Sequence, residues 1–294
     1  MTALAYREEH WTSAENLQLY CRIYDTPARG VRHAPRALTV LCLPGLTRNS
    51  RDFEALAPHL AARYRVICPD LRGRGRSARD PKWQNYHPGT YLTDLQRLLE
   101  ALDLERVAIV GTSLGGLLGM LLGAAAAQRV AGLVLNDIGP EVDPRGLDRI
   151  RSYTGMLPPV RSWDEAVKQL RIVYGNAWPD LSDETWSMLV HRSYRADAAG
   201  VPVLDCDPRI GDALRAAPAA AAGLWPLFAR LHAIPMLVIH GARSDILNEG
   251  TLERMQREKP DLERVTVVNR GHVPLLDEPE ALAAIDRFLA RLRP

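Results

Sequence analysis

Short runs in which neighbouring residues of both parities are apolar recur along the chain: ALTVLCL (37–43), RVICPD (65–70), RVAIVG (106–111), GLVLND (132–137), PMLVIHG (235–241) and RVTVVN (264–269). Their length and content of Val and Ile predict strands buried on both faces of a parallel sheet. Between most of them the apolar positions recur at three and four residues, as in DFEALAPHLAARY, GTYLTDLQRLLEALDL, LGGLLGMLLGAAAA and TLERMQREKP, and EPEALAAIDRFLARL closes the chain. These are helical patterns. Strands alternating with helices build βαβ units, which predicts an α/β protein with an open, mostly parallel twisted sheet and helices on both faces. Ahead of them, EEHWT and LQLYCRIY predict an antiparallel hairpin turning near Ser13 to Asn16.

The rhythm breaks after GLVLND. From there to PMLVIHG the chain shows helical patterns and no convincing buried strand, over a length far beyond an ordinary loop. The expected organisation is therefore a core domain of residues 1–139 and 226–294 with a helical cap insertion at 140–225. That insertion holds Trp163, Trp178, Trp186 and Trp225 together with Tyr153, Tyr174 and Tyr194. Such aromatics serve equally as a small core of their own or as pocket walls; as a group they favour a cap over a pocket. Trp163, Tyr174, Trp178 and Trp186 are the candidate substrate contacts.

Composition narrows the class. A hydrophobic fraction of 47% with 24% charged residues is that of an ordinary globular protein. The net charge of +2 gives no reason to expect a polyanionic partner. Arg72, Arg74, Arg76 and Arg79 crowd into DLRGRGRSARD, read here as a solvated loop with glycine turns. Cysteines 21, 42, 68 and 206 lack metal-ligand spacing, so free thiols in a reducing compartment are expected. The N-terminal MTALAYREEHWTSAENLQLY lacks the pattern of a secretory signal, and no apolar run reaches the roughly 18 residues that span a bilayer. The expectation is a cytoplasmic protein with neither nucleic-acid nor membrane partner.

Candidate chemistry begins at Gly111-Thr112-Ser113-Leu114-Gly115, which joins the strand VAIVG to the helix LGGLLGMLLGAAAA. A serine projecting above a sheet needs a strained backbone, and strand and helix approach closely only where side chains are absent. Gly111, Gly115 and Gly116 meet that need. The helix starts at the serine, so its N-terminal amides face any negative charge that develops there. G-x-S-x-G alone also describes a turn whose serine merely caps a helix. Context discriminates. Asp245 lies in ARSDIL, just beyond the strand PMLVIHG, and His272 in RGHVPLL, before the last helix. A hydroxyl becomes a nucleophile when a base takes its proton, and the base needs a carboxylate to hold its tautomer. Ser113, Asp245 and His272 supply all three.

The sequence resembles members of the α/β-hydrolase superfamily, on its serine-nucleophile branch with a helical cap, through LPGL, PDLRGRGRS, VGTSLGG, HGARSD and GHVPLLDEP. The resemblance implies Ser113 as nucleophile, His272 as general base and acid, Asp245 as orienting acid, and an oxyanion hole of the Leu114 and Leu46 backbone N–H groups. Where many relatives carry His-Gly, this chain has Pro44-Gly45; backbone donors survive that change. Asp137, ending LVLND, is the rival for the acid, because some relatives place theirs there. Serine at the elbow disfavours carbon–halogen and epoxide hydrolysis, which on this fold use an aspartate nucleophile.

The expected reaction is cleavage of a small to medium carboxylic ester or lactone through an acyl-enzyme, requiring no metal and no organic cofactor. The expected partner is that small-molecule ester or lactone, with homo-oligomerisation left open. Carbon–carbon hydrolysis of diketones, cofactor-free oxygenase or lyase chemistry, and a non-catalytic ligand receptor are the alternatives. Arg171, Arg192 and Arg195 are either surface groups or a clamp for a substrate carboxylate.

Overall fold

The structure is a computed structural model and describes residues 6–26, 38–217 and 223–293; Ala37 of the ALTVLCL run and residues 218–222 of the expected insertion lie outside these. Eight strands form one sheet: β1 (Arg7–Thr12), β2 (Gln18–Tyr24), β3 (Thr39–Leu43), β4 (Arg65–Asp70), β5 (Val107–Thr112), β6 (Val130–Asn136), β9 (Met236–Gly241) and β10 (Glu263–Val267), in the order β1-β2-β4-β3-β5-β6-β9-β10. β1 and β2 pair antiparallel, as does β2 with β4, and every later pairing is parallel. The hairpin turns at Ser13, whose hydroxyl accepts the Glu15 and Leu17 N–H groups.

Parity along each strand explains the two-sided burial. Leu41, Leu43, Val107 and Ile109 face one core with α2 (Pro88–Ala101), α3 (Leu114–Ala125) and α9 (Glu249–Glu258). Val40, Cys42, Ala108 and Val110 face the other with α1 (Leu56–Ala61) and α10 (Pro279–Arg291). Successive side chains of a strand point to opposite faces, so a strand covered by helices on both sides has no place for a polar position. β10, at the sheet edge, is covered less and alternates in exposure. All four cysteines are free and buried; burial pushes the Cys21 thiol up to about 12.

Between β6 and β9 lie α4 (Pro144–Tyr153), α5 (Trp163–Tyr174), α6 (Asp183–Ser193), α7 (Ile210–Ala216) and α8 (Trp225–Ala229). This segment is not strand-free as the sequence suggests: β7 (Tyr194–Ala196) and β8 (Pro202–Leu204) form a small antiparallel ribbon, too short to show a hydrophobic period. Val160, Ala166, Leu170, Trp178, Trp186, Leu189, Val190 and Tyr194 pack as a cluster of their own.

The arginine-rich turn after β4 is not the solvated loop that its composition suggests, because Arg72 and Arg74 are buried. Arg72 donates to both Asp94 carboxylate oxygens, at 2.6 and 2.7 Å, to Asp80 at 2.6 Å and to Glu15 at 2.8 Å. Its removal strands buried carboxylates. Arg72→Met is expected to lower unfolding free energy by about 3–5 kcal/mol, read as a shifted urea midpoint with unchanged slope; a shift below about 1 kcal/mol would contradict this reading.

Candidate active site

Ser113 sits between β5 and α3 with φ 51° and ψ −112°, a conformation that non-glycine residues adopt only where surrounding structure enforces it. The enforcement is visible. A Cβ on Gly111 would lie 2.5 Å from the Gly115 carbonyl carbon, and one on Gly115 would lie 2.1 Å from the Leu43 carbonyl oxygen. Strand and helix thus touch through backbone, and the serine side chain is left at the carboxyl edge of the sheet. β3 has neighbours on both sides, β4 and β5, so the chain reverses its direction of winding beside β5. Ligands bind α/β sheets in the crevice outside such a switch.

His272 follows β10, and its Nε2 lies 2.9 Å from Ser113 Oγ. Its Nδ1 lies 2.8 Å from Asp137 Oδ2. A carboxylate only accepts, so Nδ1 carries the proton, and neutral Nε2 is free to accept from the serine hydroxyl. The His272 loop is braced from several sides. Trp178 Nε1 donates to the Val273 carbonyl at 2.7 Å, Asn136 Nδ2 to the Pro274 carbonyl at 2.9 Å, and Gly271 N–H to the Ala177 carbonyl at 2.8 Å.

The aspartate partner corrects the sequence reading: Asp137, not Asp245, holds His272. Asp137 is fully buried at the end of β6 with φ 57°. Its Oδ1 accepts Gly241 N–H at 2.8 Å, and its Oδ2 accepts the Ser244 hydroxyl as well as the imidazole. Ser244 also accepts the Ile246 and Leu247 N–H groups, which winds the chain after β9 into a tight turn. Asp245 then points to α4, where Arg149 donates to both of its oxygens. Partial burial works against ionisation of Asp245, and the Arg149 guanidinium outweighs it, holding the carboxyl below the usual carboxylate range. The signal for Asp137 in the sequence is a carboxylate just past a strand that is apolar up to Asn136 and lies beside β5, where only paired charges are tolerated.

A small cavity of about 80 Å³ opens at Ser113 and His272. Gly45 and Leu46 form one wall, and Phe53, Ile150, Tyr153 and Leu189 give it an apolar lining. It shares Thr47, Arg48, Tyr153, Thr154 and Tyr174 with a larger chamber of about 440 Å³, walled by residues between β6 and β9 such as Pro158, Leu170 and Val203. Of the aromatic candidates, Tyr174 and Trp178 line the cavity. Trp163 and Trp186 do not. Trp186 is buried beside Trp178 at a centroid distance of 5.7 Å, and Trp163 packs on the His191 ring at 4.2 Å. Both are core residues of the segment, at helical positions that face its own cluster. Arg171 pairs with Asp183, and Arg195 is half-exposed beside Asp205 at 3.3 Å; Arg192 alone of that trio lines the cavity.

Leu46 and Leu114 occupy the places expected of them in chain order: Leu46 in the wall after β3, and Leu114 as the first residue of α3. One contributor went unread in the sequence. Buried Arg74 donates from Nε to the Leu46 carbonyl at 2.8 Å and from Nη1 to the Arg72 carbonyl and the Tyr91 hydroxyl. It anchors the turn that carries Leu46. Among the described residues no group of His, Cys, Asp and Glu is arranged to hold a metal ion, and no helix is long and apolar enough to cross a membrane.

Residues 39–279 match the family described as alpha/beta hydrolase fold, and the chain belongs to that family. It is a hydrolase of this fold. A 3-hydroxybutyrate-oligomer hydrolase from Cupriavidus necator is 33% identical over 262 residues, covering 86% of this chain and 88% of the relative. A 2-(acetamidomethylene)succinate hydrolase from Mesorhizobium japonicum is 25% identical over 260 residues, covering 88% of this chain and 90% of its own. The crystal structure of an alpha/beta hydrolase from Novosphingobium aromaticivorans superposes with a TM-score of 0.90 at 43% identity, covering 97% of this chain and 98% of that one.

Proposed function

We propose that the protein is a serine hydrolase that cleaves small to medium carboxylic esters or lactones through an acyl-enzyme. The carrying observation is the continuous hydrogen-bonded path Ser113 Oγ, His272 Nε2, His272 Nδ1, Asp137 Oδ2, with steps of 2.9 and 2.8 Å, at the edge of an apolar cavity. His272 takes the Ser113 proton as the oxygen attacks the carbonyl carbon, and the Asp137 carboxylate stabilises the imidazolium that forms. The Leu114 and Leu46 N–H groups stabilise the tetrahedral oxyanion. Collapse of the intermediate breaks the carbonyl–oxygen bond, and His272 returns its proton to the leaving alkoxide. Water then attacks the acyl-serine by the reverse arrangement. The segment between β6 and β9 acts as a cap, and the adjoining chamber gives room for the larger arm of the substrate. The relative named for 3-hydroxybutyrate oligomers directs the first choice of substrates towards esters of hydroxy acids.

Labelling with an alkyl fluorophosphonate, mapped by mass spectrometry, tests nucleophile and base together. The label is expected on Ser113 in the native protein and on the order of 10²–10⁴-fold more slowly in His272→Ala. Ester turnover by a protein whose Ser113 stays unlabelled would overturn the proposal.

A further inference from the structure

We propose that Arg192 is a specificity residue that receives a free carboxylate on the substrate, so that the preferred substrates are anionic esters with an apolar body at Ser113. This rests on Ser113 being the nucleophile. Arg192 lies in the last turn of α6, is only 4% exposed, and lines the same cavity as Ser113 and His272. A guanidinium carries five N–H donors in a rigid fork. Yet the one hydrogen bond that the Arg192 side chain makes among the described residues runs from Nη2 to Met188 Sδ at 3.4 Å, and its Nε has no hydrogen-bond partner.

Its nearest carboxylate is Glu54, 3.6 Å from Nε, whose other oxygen accepts Arg22 Nη1 at 2.7 Å. Two buried guanidiniums therefore answer to a single carboxylate that is itself 39% exposed. Buried Arg22 and Arg74 also keep one unpartnered nitrogen each, but Arg22 has a 2.7 Å carboxylate bond and Arg74 donates to three oxygens, and two other enclosed arginines are paired more fully still. Arg72 is met by Asp94, Asp80 and Glu15. Arg48, in the same cavity as Arg192, is met by Asp52 and Ser193.

A cation removed from water needs a partner of opposite charge and good geometry. A carboxylate guest fits the vacant donors of Arg192 in the bidentate manner. Of the two carboxylates nearby, Asp52 on the cavity wall is engaged by Arg48 and Glu54 by Arg22, which leaves Arg192 the less compensated of the two cations lining the cavity. Phe53, Ile150, Tyr153 and Leu189 supply apolar contact between the two ends.

The test uses two matched pairs, each comparing a free acid with its methyl ester. Mono-4-nitrophenyl glutarate and methyl 4-nitrophenyl glutarate, read as nitrophenolate, carry the charge on the acyl side. 3-Acetoxybutanoate and its methyl ester, read as acetate, carry it on the alcohol side. The native protein is expected to favour the acid of at least one pair by roughly 30-fold or more in kcat/KM. Arg192→Gln should lower kcat/KM for the acid, mainly through KM, by roughly tenfold or more beyond any fall for its methyl ester, and Arg192→Lys should restore part of the preference. Indifference of the native protein to charge in both pairs, a comparison that needs no variant, overturns the inference. So does an equal fall for acid and ester in Arg192→Gln. Either result with Ser113 still labelled leaves the hydrolase reading standing. Absence of turnover in all four substrates with Ser113 unlabelled removes both.

Discussion

Ser113→Ala is expected to lower turnover of 4-nitrophenyl butyrate by on the order of four to six decades, with circular dichroism and the thermal midpoint close to those of the native protein. Among the described residues the hydroxyl bonds only to His272 Nε2. The backbone strain at φ 51° is imposed by the contact of β5 with α3 and is the same for alanine. Loss of the oxygen therefore removes the nucleophile and leaves the fold. Residual catalysis above the water rate would come from the backbone donors and from binding. Undiminished ester turnover in this variant would refute the assignment of Ser113.

The second large effect separates Asp137 from Asp245, the two aspartates that the sequence offers as rivals for the orienting acid. Asp137→Asn is expected to lower kcat by on the order of 10³–10⁴-fold, because a neutral amide no longer holds the proton on Nδ1 nor stabilises the imidazolium. Asp245→Asn should stay within about tenfold, its carboxylate being spent on Arg149 at a half-exposed site. Steady-state kinetics of the two variants decide between them. A severe loss in Asp245→Asn beside a mild one in Asp137→Asn would return the role to Asp245. If Asp245 acts only through its distant charge, the double variant should show the product of the single effects.

The position of the aromatics between β6 and β9 shows where pattern reading stops. Trp163, Tyr174, Trp178 and Trp186 all recur at helical spacing, and nothing in that spacing tells cavity from core. Tyr174 and Trp178 reach the cavity because α5 ends and the chain bends toward the His272 loop, where Trp178 bonds the Val273 carbonyl. Trp186 stays within the cluster that Trp178 also joins, and does not line the cavity. Arg72 and Arg74 teach the same lesson for charge. A glycine-interrupted run of arginines reads as solvated until distant carboxylates, Asp94 from α2 and Glu15 from the hairpin, arrive beside it.

The linear order of apolar and polar residues was sufficient for the parallel sheet, the helices on its two faces, and the elbow at Ser113 with a histidine placed to reach it. Apart from the histidine, which stands 159 residues from Ser113 in the chain, each of these depends on near neighbours: the period of burial, and glycines that let one strand meet the helix that follows it. The choice of Asp137 over Asp245, the burial of Arg74 against the Leu46 carbonyl, and the exposure of Arg192 to the cavity were decided only when β6 and β9 came side by side and α6 came to line the cavity at Ser113. Those outcomes turn on angstrom-scale distances between side chains far apart in the chain. A carboxylate at the end of one strand and a carboxylate four residues past the end of its neighbour differ little as text, but only one of them lies 2.8 Å from the imidazole.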